Sequence, residues 1–166
     1  MSERVMIRNA QASDVGLLHQ CLVALAKDTG SALQLRSTPD DLLMHGFRDN
    51  PAFEALIAEI SGQFAGMCIT FQSFSTWRGE IGIYVQDLYV EKAFRGQRTG
   101  EALLRAAAAR GSSRGATHMR LSVDVANSGA QAFYNRLGLA QCLDEQIHMI
   151  SGSAFHAFAD TLQKRS

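Results

Sequence analysis

Ile83-Tyr84-Val85-Gln86-Asp87-Leu88-Tyr89-Val90, then Arg95-Gly96-Gln97-Arg98-Thr99-Gly100, then Glu101-Ala102-Leu103-Leu104-Arg105-Ala106-Ala107-Ala108-Ala109: this run decides the fold. Its first part is β-branched and aromatic, and Ile81, Ile83 and Val85 recur at period two on one face of a strand. Its last part is made of strong helix formers. The glycine-bearing loop between them opens directly into a helix N-terminus, where unpaired backbone N–H groups and about half a positive charge favour phosphate oxygens. Gly96 and Gly100 permit close backbone approach, and Arg95 and Arg98 add charge-assisted donors. As an isolated string the loop reads first as a surface turn. Its place between strand and helix points to an anion site. It lacks the Gly-Lys-Ser/Thr ending of a P-loop, which argues against ATP or GTP chemistry.

Upstream, Val5-Met6-Ile7 is a short strand, and Ser13 is a candidate N-cap for a helix carrying Val15, Leu18, Leu22, Leu25 and Ala26. Gly30 stops that helix, and Ser37-Thr38-Pro39-Asp40 supplies a cap and a first-turn proline for a second one through Leu42, Leu43 and Phe47. Phe53 to Ile60 and Phe64 to Phe74 read as a hairpin across Ser61-Gly62-Gln63, with the 81–90 strand following after a loop around Trp77. Downstream, Thr117 to Val125 is a strand candidate. Ser128 caps a helix with Ala132, Phe133 and Leu137, and Gly138 ends it. Leu139 to Leu143 and Gln146 to Ile150 read as a last hairpin, and Phe155, Phe158 and Leu162 mark a C-terminal amphipathic helix. The order β-α-α-β-β-β-α-β-α-β-β predicts an α+β (mixed α/β) fold, a mixed, mostly antiparallel sheet flanked by helices. Three strands in a row with no crossover helix argue against a Rossmann fold.

The 166 residues suit a single domain spanning 1–166. Sixteen Lys and Arg balance sixteen Asp and Glu, so no global field draws nucleic acid or anionic lipid. The N-terminus has no signal-peptide core and no window is apolar enough to span a bilayer, so a soluble, cytoplasmic protein with no membrane partner is expected. Cys21, Cys68 and Cys142 are odd in number and widely spaced, and read as small buried hydrophobes rather than a disulfide or zinc framework. His19, His45, His118, His148 and His156 form no ligand pattern, so no metal is expected. Trp77 reads as a packing residue or dimer contact before a substrate stacker.

Asp87-Leu88-Tyr89-Val90, Arg95 through Gly100, Leu103-Leu104, Asn127, Phe133-Tyr134 and Leu137-Gly138 together resemble the GNAT superfamily of N-acetyltransferases. The family loop is [QR]-x-x-G-x-[GA]. Arg95 and Gly100 match its first and last positions, and Arg98 stands where the middle glycine usually is. Ile7-Arg8, Leu42 to Phe47 with Pro51, Ala58-Glu59 and Phe74-Ser75-Thr76-Trp77 extend the likeness over nearly the whole chain, nearest to the diamine (spermidine/spermine) N-acetyltransferase branch.

The resemblance implies a GNAT-like acyl-CoA N-acyltransferase fold, splayed between its fourth and fifth strands, with acetyl-CoA as co-substrate and a small-molecule amine as acceptor. It places the pyrophosphate on Arg95, Gly96, Gln97, Arg98, Thr99, Gly100 and Glu101, and the pantetheine arm along Leu88, Tyr89 and Val90. A backbone N–H near Val90 would meet the thioester oxygen. Direct attack in a ternary complex needs a base for the ammonium and an acid for the departing thiolate. Tyr134 is the implied acid. Asn127, seven residues earlier, shares its helix face at about 700° of rotation if the helix starts early enough, and would bind pantetheine amides. Otherwise Asn127 is a cap and Tyr134 a core aromatic. The branch carries Glu-Asp where this chain has Gln86-Asp87, and Gln86 cannot titrate. Gln86 then orients, and Asp87 anchors the ammonium or acts as a remote base, re-aimed by a β-bulge or reached through water that could also lead to Glu80. Asp28, with Asp40 and Asp41, is the candidate acidic mouth for a cationic amine, against the ordinary role of such residues as caps. A homodimer is implied because relatives form one. Acetylation of an aminoglycoside, amino acid or protein lysine, and a catalytically inactive acetyl-CoA-binding regulatory module, remain as alternatives.

Overall fold

In the computed structural model, which describes residues 4–160, the chain runs β1 (Val5–Asn9), α1 (Val15–Asp28), α2 (Pro39–Gly46), β2 (Glu54–Ile60), β3 (Gln63–Ser75), β4 (Glu80–Val90), α3 (Thr99–Ser112), β5 (Ala116–Leu121), α4 (Ser128–Arg136) and α5 (Gly152–Asp160). One compact unit runs to Ser128 and a second begins at Gly129. The first holds a five-stranded sheet in the order β1-β2-β3-β4-β5. Every neighbouring pair is antiparallel except β4 with β5, and α3 makes the long crossover that this parallel pair requires.

Local chemistry sets the element ends. Ser61 (φ 51°) and Gly62 (φ 76°) form a two-residue turn with both central residues left-handed, so Gln63 already pairs with Ile60 and belongs to β3. At α2, Asp41 N–H donates to Thr38 Oγ1 at 3.2 Å and Thr38 N–H donates to Asp41 Oδ2 at 2.8 Å, a reciprocal cap behind Pro39. Ahead of α1 the expected cap, Ser13, sits inside a short 3-10 turn that runs straight into the helix, and Asp14 closes that turn without a side-chain cap on α1 itself. Its Oδ2 accepts Gln11 N–H at 2.7 Å while Arg8 grips both carboxylate oxygens at 2.8 and 3.1 Å, holding the carboxyl below its usual range.

Leu18 and Cys21 of α1 and Leu42 of α2 pack with Ala55, Ile57, Met67, Ile69 and Tyr89 on one face of the sheet. The other face meets Leu103, Leu104 and Ala107 of α3. Gly66 lets that happen, since a Cβ there would stand 2.5 Å from the Tyr89 carbonyl oxygen and 3.3 Å from Leu103 Cδ1.

The structure corrects four further expectations. β5 ends at Leu121, short of Val125. Residues 139–151 form no strand, so the last hairpin is not present. Its alternation had no face to bury, for residues 140–151 are exposed throughout, and isolated short strand pairs are marginal in water. Cys142 is exposed rather than buried. Of the two readings of Trp77, packing within the chain is overturned, for the residue is 98% exposed at the tip of the β3–β4 connection. Leu162 lies outside the described residues.

Candidate active site

Strand β4 is double-sided only for half its length. It pairs with β5 from Ile81↔Ala116 to Val85↔Leu121, where β5 ends. From Gln86 to Val90, β3 covers one edge and no strand covers the other among the described residues. The splay expected between the fourth and fifth strands is this open edge. Glu91 N–H donates to the Ala65 carbonyl at 2.9 Å, which makes Val90↔Gly66 a non-hydrogen-bonded pair and turns Val90 N–H and C=O toward the open side. Leu88 opposite Cys68, two residues back, is turned the same way.

A bulge sits where the second pairing stops. On β3, Thr70 opposes Val85 and Ile69 opposes Asp87, so Gln86 is the extra residue. The extra residue breaks the alternation: Val85 shares its face with Thr70, whereas Asp87 shares the α1 and α2 face with Ile69 and the Met67–Tyr89 pair. Gln86 is exposed and Asp87 half-buried. Burial alone pushes the Asp87 carboxyl above its usual range, the direction a base for an ammonium needs.

The loop that follows turns back on left-handed residues, Gly96 at φ 78° and Arg98 at φ 62°. Arg98 adopts the conformation for which a glycine is ordinarily used, at a cost of about 1–2 kcal/mol. A left-handed residue followed by the right-handed start of α3 aligns successive N–H groups into a nest, a concavity of the kind that suits anions. Ala102 N–H is the first to turn back into the helix, to the Arg98 carbonyl at 2.9 Å. The amides of Thr99, Gly100 and Glu101 are therefore end-of-helix donors. Thr99 Oγ1 donates to the Phe94 carbonyl at 3.2 Å and Gln97 Nε2 to the Ala93 carbonyl at 3.1 Å, pinning the loop. The Arg98 guanidinium forks onto Glu101 at 3.0 Å with both nitrogens, and Arg105 reaches the same carboxylate at 2.8 Å. These arginines hold the Glu101 carboxyl down to about 2 and cancel its charge beside the nest.

Arg95 is placed differently. Its Nε donates to the Val90 carbonyl at 2.9 Å, its Nη2 donates to Asp28 Oδ2 at 2.8 Å, and its Cζ stands 5.9 Å from the Tyr89 ring centre. Lys92 Nζ lies 3.6 Å from the other Asp28 oxygen. Arg95 thus holds the Asp28 carboxyl below its usual range.

The β4 edge, the loop and Asp28 meet through these contacts. Asp41 is occupied in the α2 cap with Thr38, and Asp40 lies in that same first turn. Glu80 accepts from Thr117 Oγ1 at 2.9 Å and lies seven residues along β4 from Asp87, roughly 23 Å at strand rise, too far for one proton path. Asn127 falls just before α4, its N–H donating to the Asp124 carbonyl at 2.9 Å, so it stands outside the helix on which the shared face was reckoned. Tyr134 belongs to the second unit, half-buried, with its ring edge-on to Phe133 at 5.1 Å. The Arg95–Asp28 pair was the feature missed from sequence. An acid closing a helix C-terminus, against the helix dipole, was the available signal. A cavity of about 310 Å³ lies at the far end of α3, lined by Glu54, Thr70, Gln72, Ile83, Arg110 and Arg114. Among the described residues, no group of three or more His, Cys, Asp or Glu is placed to hold a metal, and no helix is long and apolar enough to cross a membrane.

Residues 20–139 match the acetyltransferase (GNAT) family. The chain belongs to that family. This GNAT N-acetyltransferase is 33% identical over 149 residues to thialysine N-epsilon-acetyltransferase of Bos taurus, covering 85% of this chain and 86% of that protein. It is 31% identical over 106 residues to spermidine/spermine N(1)-acetyltransferase-like protein 1 of Homo sapiens, covering 60% of this chain and 15% of that much longer protein. An integron cassette protein from the mobile metagenome of V. cholerae shares the fold, with a TM-score of 0.78 at 18% identity over 96% of this chain and 98% of that one.

Proposed function

We propose that the protein transfers acetyl from acetyl-CoA to a primary amine of a small molecule, with thialysine-like amino acids and polyamines as the leading acceptor classes. The observation that carries this is the open edge of β4 at Leu88 and Val90, lying beside the nest at the start of α3. That pair of features fits a ligand with an amide-bearing arm and a pyrophosphate. Acetyl-CoA, when bound, supplies an activated acyl group as a thioester.

The chain's own groups do the rest. Leu88 and Val90 offer backbone donors and acceptors to the arm, and Val90 N–H faces the side where a thioester oxygen would develop charge. Gly96 and the amides of Thr99, Gly100 and Glu101 hold the phosphates, with Arg95 as their cation. Asp87, its carboxyl held above the usual range by burial, takes the proton of the ammonium or anchors it, and Gln86 at the bulge orients the amine or a water. Tyr134 gives a proton to the departing thiolate, and Asn127 steadies the arm. Attack is direct, since no nucleophile is needed on the enzyme. A homodimer is the proposed assembly.

The test is a titration with CoA followed by backbone amide shifts. The largest changes are expected at Leu88, Val90 and Gly96 through Glu101. Changes centred on the cavity at the far end of α3 would overturn the assignment.

A further inference from the structure

The residue placed in the acceptor site and the residue placed in the cofactor site are bonded to each other. Asp28 and Arg95 close a 2.8 Å charged hydrogen bond between the last residue of α1 and the first residue of the anion loop. While that bond lasts, an Nη2 donor of Arg95 and the Oδ2 oxygen of Asp28 are withheld from their proposed partners. Arg95 also donates to the Val90 carbonyl, one of the edge groups that a strand-like ligand arm would use. The arrangement is half-exposed, with Arg95 at 47% and Asp28 at 31% side-chain exposure, so water and salt keep the pair weak and exchangeable. It is also poorly explained as a helix device, because a carboxylate at a helix C-terminus opposes the dipole.

We infer that Asp28 is a built-in counter-ion that occupies Arg95 until a phosphate arrives, and that the exchange links the two substrates. This rests on the assignment of the loop to pyrophosphate. An incoming diphosphate draws the Arg95 guanidinium off Asp28 and off the Val90 carbonyl. The edge of β4 is uncovered for the arm, and the Asp28 carboxylate loses its principal cation as an ammonium becomes the next ligand to arrive. Lys92, 3.6 Å from Asp28 and 75% exposed, is the weaker cation that remains. Asp28 is therefore a positioning residue. It weakens cofactor binding and makes the cationic acceptor bind more tightly once the cofactor is in place, and linkage makes that coupling mutual.

The experiment is calorimetric, on the whole chain, with CoA and spermidine as probes and Asp28→Asn as the variant. In the wild type, CoA binds and saturating CoA tightens spermidine several-fold. In Asp28→Asn, CoA binds about two- to fivefold tighter at low salt, the gain closes at high salt, and CoA no longer tightens spermidine. Asp49→Asn, the same change of charge at an exposed bend residue, is the control and leaves CoA affinity unchanged. CoA binding that is unchanged or weaker in Asp28→Asn overturns the inference, as does a wild type in which CoA fails to tighten spermidine. A wild type that binds no CoA overturns the loop assignment itself, so the two failures are told apart.

Discussion

Arg98 and Asp87 are two residues held under strain of different kinds, one conformational and one electrostatic. Arg98 sits at φ 62° where glycine adopts the backbone freely, and its compensation is an exposed fork onto Glu101. Arg98→Gly is expected to raise the melting temperature by roughly 2–4 °C, since removing left-handed strain of about 1 kcal/mol outweighs one surface ion pair. A lower melting temperature would mean that the Glu101 fork dominates. Asp87 has a folded-state pKa raised by burial. Its ionisation therefore opposes folding, and the stability held by the protonated form is present below the ordinary aspartate range and lost as pH rises through the raised value. Asp87→Asn should be more stable than the wild type at neutral pH, with the gain vanishing as pH falls through about 4, while kcat/KM drops at least tenfold. Thermal melts across pH beside steady-state kinetics check both halves. Equal activity would remove Asp87 from the chemistry. At this scale the sequence made Arg95 to Gly100 a candidate by its glycines and arginines between strand and helix, and the family resemblance added Gln86-Asp87. It did not show that Arg95 reaches Asp28, a contact 67 residues apart that only the docking of α1 against the end of β4 creates.

At the scale of elements, α3 lies close on β3 because Gly66 has no side chain. Gly66→Ala would drive a Cβ to 2.5 Å from a backbone oxygen that cannot swing away, so a loss of about 1–3 kcal/mol is expected by denaturant unfolding. An unchanged midpoint would show that the sheet yields there. The elements that were legible carried their own punctuation: Thr38-Pro39 for α2, Ser61-Gly62 for the first hairpin, Gly138 at φ 90° after α4. Those misread lacked it. Residues 139–150 alternate like strands but have no face to bury, and Val123 and Val125 extend a β-like run past the point where β5 leaves the sheet. Pattern alone measures the wish to bury a face, and the partner decides whether it is met.

For the whole molecule, the consequence of the fold is that one strand serves two purposes. Among the described residues β4 is paired on both edges as far as Val85 and on the β3 edge alone beyond it, with the bulge at Gln86 marking the change. That division places a carboxyl on one face, backbone donors on an open edge, and the loop of residues 95–100 at the strand's end, all in the first unit. Family membership makes acetyl transfer the reaction class, and the open edge with its loop is where the acyl donor is proposed to lie. The most direct measurement is release of free thiol from acetyl-CoA in the presence of thialysine, spermidine, short diamines, aminoglycosides or lysyl peptides, with a control lacking acceptor. Thiol release that depends on thialysine or a polyamine, and falls when Tyr134 is replaced by Phe, is the predicted result. Tight acetyl-CoA binding with no acceptor-dependent release across that panel would contradict it and leave a module that binds the acyl donor without turning it over.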